Sequence, residues 1–87
     1  SNRLRYFRLD EKGIYSPDSP RSGSLVDPIS IIRLDILRAL WGKPLTINSG
    51  YRTIAHNRKV GGEPNSPHLR GRAFDISCKP EDLMALK

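Results

Sequence analysis

The chain has 87 residues, 37% hydrophobic and 28% charged, with seven Gly and seven Pro, a composition that suits a small loop-rich domain better than a disordered tail or a helical bundle. This length fits one domain rather than two. No apolar run approaches the ~20 residues of a membrane span, and the lone Cys78 excludes an internal disulfide framework and a four-cysteine zinc site. Fifteen Lys and Arg against nine Asp and Glu leave a formal charge of +6, which favours anionic partners.

The start, Ser1-Asn2-Arg3, carries neither Met nor an apolar signal segment, as expected of an excised fragment. Residues 3–9 mix apolar and basic side chains and predict a short strand or an N-terminal arm. Pro, Ser, Gly and Asp dominate 13–24, which reads as a loop without periodic burial. At Asp27-Pro28 an N-cap meets a proline suited to the first helical position. Ile29, Ile32, Ile36, Leu37 and Leu40 then recur at helical spacing and predict the apolar face of a helix, which Trp41 extends. Gly42 and Pro44 stop it.

Leu45–Ser49 alternates and is rich in β-branched residues, so a short strand is expected to end at Gly50. Thr53 is a candidate cap for a short helix over 54–60, ended by Gly61-Gly62. Residues 63–72 read as loop, and Ala73–Ser77 as a second strand. Pro80-Glu81-Asp82 opens a last helix with acids in its first turn, as the helix dipole prefers. The chain reads as a single domain over 1–87, with 1–26 an arm and loop and 27–87 the core that carries the motifs. There are no internal repeats.

The charge alone does not identify a nucleic-acid module. Ten arginines are scattered from Arg3 to Arg72 without a run of five, and the N-terminal group Arg3, Arg5, Arg8 is followed at once by Asp10 and Glu11. A basic surface facing an anionic polymer such as a cell wall fits the charge equally well.

The chemistry lies between Ser49 and Asp75. His68 stands on a loop and Asp75 on the strand that follows, seven residues on, with Gly71 between them to allow a sharp backbone turn. Imidazole nitrogen and carboxylate oxygen are both zinc donors at about 2.0–2.2 Å, so the two can meet at one ion. Spacing by itself leaves a satisfied loop histidine as the alternative.

The whole string is more specific. Ser66-Pro67-His68-Leu69-Arg70-Gly71-Arg72-Ala73-Phe74-Asp75 fits S-x-H-x-x-G-x-A-x-D at every fixed position, preceded by Ser49-Gly50-Tyr51-Arg52, His56-Asn57 and Val60-Gly61-Gly62. Over residues 27–87 this resembles the zinc D-alanyl-D-alanine carboxypeptidase family, in its small phage and bacterial branch. The same superfamily contains the vancomycin-resistance dipeptidases and the hedgehog signalling domain. The resemblance implies an α+β fold: a small, mainly antiparallel sheet with flanking helices, the helix from Asp27 on one face.

It also implies that His68 and Asp75 are two of three zinc ligands. Arg52 would be the catalytic arginine that faces substrate and stabilises negative charge on the scissile carbonyl, and Ser66 would border the site and bind substrate. The substrate implied is a peptidoglycan stem peptide, cut by a D-Ala-D-Ala carboxypeptidase or endolysin-type hydrolase. Each residue has a structural alternative: Arg52 as a surface arginine, Ser66 as a cap of the next turn, Tyr51 and Trp41 as core. Asn57 is expected to bond loop backbone, His56 to be solvated or to support the site indirectly, and Cys78 to be a small buried thiol.

The family's third ligand is a histidine on a strand after the last helix, with an acidic general base nearby. Neither has a matching position before Lys87. Either the chain is a shortened piece of a complete enzyme, which the intact motif favours, or it is an inactive cell-wall-binding or phage structural module on the same scaffold. With two protein ligands, zinc is expected to bind the 87-residue chain weakly.

Overall fold

The computed structural model describes residues 4–84. The expectations for Arg3 in the N-terminal arm, and for the helix after Met84, lie outside the described residues. Helix α1 spans Pro28–Trp41, strand β1 Thr46–Ser49, helix α2 Ile54–Lys59, strand β2 Asp75–Ser77 and helix α3 Pro80–Met84. Single turns of 3-10 helix occupy Ser22–Leu25 and Pro67–Arg70. β1 and β2 pair antiparallel, with Thr46 opposite Ser77, Ile47 opposite Ile76 and Ser49 opposite Asp75, and a register shift between Ile47 and Ser49. The fold is α+β, as expected, with a two-stranded sheet among the described residues.

α1 starts and stops where its local chemistry dictates. The Asp27 carboxylate accepts from Ser30 N at 3.0 Å, and Gly42 closes the helix with its N–H on the Arg38 carbonyl at 3.1 Å. The face turned inward, however, is not the expected one. Ile29, Ile32, Ile36, Leu37 and Leu40 are 46–82% exposed, whereas Ile31, Leu34 and Asp35 are buried. The reason is Asp35, whose carboxylate accepts the backbone N–H groups of Arg5, Tyr6 and Phe7 at 2.9, 2.8 and 3.3 Å. Those amides belong to an irregular segment without a strand partner, and the rotation of α1 that buries Asp35 gives them an acceptor. Residues 4–9 are therefore not a strand. They lie along α1, with Arg38 stacked 4.3 Å from the Tyr6 ring centroid.

The core consists of Phe7, Ile14, Val26, Ile31, Leu34 and Ile47, with Leu4, Leu9, Tyr51 and Phe74 packed against it. α1 and β1 thus share one buried cluster, while β2 is exposed at all three positions. The loop expected over 13–24 is a loop, and it also carries buried residues, Ile14 and Ser16 both being fully enclosed. A loop can be buried only when its polar groups find partners, and here they do. Ser16 N donates to Ser22 Oγ at 2.8 Å, Ser16 Oγ donates to Asp18 Oδ1 at 2.5 Å, and Thr53 Oγ1 donates to Asp18 Oδ2 at 2.6 Å.

Hydrogen bonds from the Ser16 and Thr53 hydroxyls hold the Asp18 carboxyl below the ordinary carboxylate range, and those from the Ser30 hydroxyl and amide do the same for Asp27. A depressed carboxyl stabilises the fold above its unfolded value, and that contribution is lost as pH falls through the folded value. Asp18→Asn and Asp27→Asn are therefore expected to melt below the parent at neutral pH and to converge with it on acidification. Thermal melts between about pH 7 and pH 2 read this directly. Curves that stay parallel throughout would remove both carboxylates from the acid response.

Candidate metal centre

The site is assembled from three short segments: the end of β1, the start of α2, and the loop from Glu63 into β2. Gly50 follows β1, and its carbonyl lies 2.8 Å from His68 Nδ1. A carbonyl oxygen can only accept, so in this bond Nδ1 carries the hydrogen and the Nε2 lone pair of the neutral ring points elsewhere. Nε2 points at Asp75, with Oδ1 3.5 Å away. An imidazole nitrogen and a carboxylate oxygen that face each other are both donors a metal ion accepts. With donor–metal distances of about 2.0–2.2 Å, adjacent corners of a zinc tetrahedron lie about 3.3–3.6 Å apart. His68 and Asp75 therefore have the chemistry and separation of two corners. Among the described residues no group of three or more His, Cys, Asp or Glu could hold a metal.

The turn that makes this convergence passes through Gly71, with φ +67°. A Cβ there would stand 2.6 Å from the Leu25 carbonyl and the Val26 Cα, so a side chain is excluded by both conformation and space. Gly71 O in turn accepts from Asp27 N at 3.0 Å, which ties the site loop to the start of α1. Ser66 is buried, and its hydroxyl oxygen accepts from His68 N at 3.2 Å as the cap of the 3-10 turn. Arg52 N donates to the His68 carbonyl at 3.1 Å, so both flanks of the histidine are bonded through backbone.

The Arg52 guanidinium lies on the same side as His68 and is held by three acceptors. Nε donates to Ser49 Oγ at 3.1 Å, Nη1 to Asn57 Oδ1 at 3.1 Å and Nη2 to Asp75 Oδ2 at 3.2 Å. Its side chain is 14% exposed, against 57% for Asp75 and 10% for His68. Asp75 thus divides its oxygens between His68 and Arg52, a sharing that sequence spacing does not reveal. Asn57 is buried, and its Nδ2 donates to the Glu63 carbonyl at 2.8 Å, the loop-backbone bond expected of it. Gly62 is needed beside it because a Cβ would overlap Asn57 Oδ1 and come within 2.9 Å of Arg52 Nη1.

The other candidates fall away from the pair. Thr53 caps α2, its Oγ1 accepting from His56 N at 3.1 Å, while the half-buried His56 acts electrostatically on Asp18. Tyr51 packs on the core, Trp41 is half-buried at the end of α1, and Cys78 is half-buried rather than enclosed.

Comparison with known proteins gives two matches. The family model described as Peptidase M15 matches residues 8–87. The zinc D-Ala-D-Ala carboxypeptidase of Streptomyces albus G is 35% identical over 75 residues, which are 85% of this chain and 28% of that protein. The chain therefore spans just over a quarter of that relative's length. No solved structure matches.

Proposed function

The chain belongs to the peptidase M15 family, and on that footing we propose that it is a zinc-dependent hydrolytic domain acting on peptide bonds of peptidoglycan stem peptides. One observation carries the metal assignment: His68 Nε2 and Asp75 Oδ1, 3.5 Å apart, with the histidine tautomer fixed by the Gly50 carbonyl. His68 and Asp75 hold the zinc in this reading, and a third ligand and a general base come from residues outside those described. Bound there, zinc supplies Lewis acidity toward water and the scissile carbonyl.

The chain's own residues position and stabilise. Arg52 has five N–H donors, of which three are used on Ser49, Asn57 and Asp75, so two remain for negative charge on a substrate oxygen. Fixing the guanidinium in advance removes the cost of ordering it during reaction. Ser66 accepts from His68 N, which leaves its O–H as the group able to donate to substrate. Asp75 aligns both His68 and Arg52 through its two oxygens.

Calorimetric titration with zinc tests this, comparing the 87-residue chain with a version extended past Lys87. Weak binding by the chain and tight binding by the extended version are expected, with His68→Ala abolishing the latter. Equally tight binding by both would place the third ligand inside this sequence. If neither binds, the catalytic reading falls and a non-catalytic cell-wall-binding or phage structural module remains.

A further inference from the structure

The face of α1 turned away from the core carries Ile29, Ile32, Ile36, Leu37 and Leu40, which are 46–82% exposed. At about 100° per residue these side chains occupy an arc of about 140°, as wide as the stripe by which a helix packs onto a core. Scattered exposed aliphatics are ordinary, but a contiguous stripe of five marks a contact surface. Arg33 falls within the same arc, is exposed, and makes no salt bridge among the described residues.

Three observations select what covers this stripe. An apolar helix face offers a neighbouring backbone neither donors nor acceptors, so the occupant must satisfy its own, as a helix does. Arg33 needs a carboxylate once it is taken out of water. A second copy docked through the same face brings none, because Asp35 is the single acid of α1 and is buried, and each copy carries a charge of +6. Finally, Asp82 of α3 lies 3.7 Å from Lys43, just past the end of α1, and Leu83 and Met84 after it are exposed. The polypeptide therefore leaves the described residues beside one end of the stripe. We propose that the outer face of α1 is the docking surface for an amphipathic helix in the polypeptide following Lys87, packed along the Ile and Leu stripe with a carboxylate against Arg33. The 14 residues of α1 span about 21 Å, so a helix of similar length covers them. The proposal shares with the zinc reading the premise that the domain continues past Lys87, and its packing needs no metal.

Thermal melts with a chelator present, on the 87-residue chain and on the version extended past Lys87, test this. In the 87-residue chain Ile36→Glu and Leu40→Glu should melt within about 4 °C of the parent, since both positions are exposed. In the extended version each should lower the melting temperature by more than about 10 °C, as for a charge placed in an apolar contact. Arg33→Glu should likewise cost the extended version more than the 87-residue chain. A readout without substitutions guards against variants that fail to fold. The Ile36 and Leu40 methyl signals should be broadened by a soluble paramagnetic probe in the 87-residue chain and protected from it in the extended version. Equal accessibility of these methyls in the two versions would overturn the docking surface, and equal costs of Arg33→Glu would overturn the carboxylate. A dimer of the extended version that Leu40→Glu dissociates would put a second copy on the face instead. Because the chelator removes metal, a failed zinc titration leaves these results standing, and unprotected methyls leave the zinc reading intact.

Discussion

Asp35→Ala is expected to cost about 3–5 kcal/mol, as for losing one charged acceptor shared by three backbone amides. Three backbone N–H groups, from Arg5, Tyr6 and Phe7, lose their shared acceptor at once. The Phe7 amide must then stay buried without a partner, or the segment peels away and takes Phe7, 6% exposed, out of the core. Asparagine does not repair this, because its amide group presents donors to donors at one of the two oxygen positions. For a domain of this size the loss is a large share of a total of about 4–13 kcal/mol. The melting temperature should fall by more than about 10 °C. Hydrogen exchange should show the amides of residues 5–7 losing protection first. A melting temperature within about 2 °C of the parent would mean that water satisfies those amides equally well.

Arg52→Ala should have two separable effects. In a version extended past Lys87 that hydrolyses peptide, kcat is expected to fall about 10²–10³-fold, the usual consequence of removing a preset donor to an oxyanion. Stability should fall as well, by about 1–3 kcal/mol, because the buried Asn57 Oδ1 loses its donor. The partly exposed Asp75 contributes little to that figure, since water screens it. Arg52→Lys distinguishes the roles: one ammonium keeps the charge but cannot serve Ser49, Asn57 and Asp75 in their fixed directions. Recovery of stability without recovery of kcat would fit a residue acting on substrate. A kcat loss no larger than the stability loss implies would make Arg52 a structural residue alone.

The amino-acid sequence by itself determined the local elements, because their signals act within a turn or two. Asp27-Pro28 starts α1 and Gly42 ends it, Thr53 caps α2, and the alternating stretch at 46–49, with Thr46 and Ile47 β-branched, becomes β1. The ten-residue string from Ser66 to Asp75 was likewise legible, since Gly71 confines the turn that leads from His68 toward Asp75. Tertiary structure decided what depends on contacts between distant segments. Asp35 meets Arg5 across 30 residues, Arg52 meets Asp75 across 23, and Thr53 meets Asp18 across 35. Helical periodicity points to the face rich in Ile and Leu, whereas the face turned inward contains Ile31, Leu34 and Asp35. That face is buried because the backbone amides of residues 5–7 must be satisfied, and an apolar face offers them no acceptor.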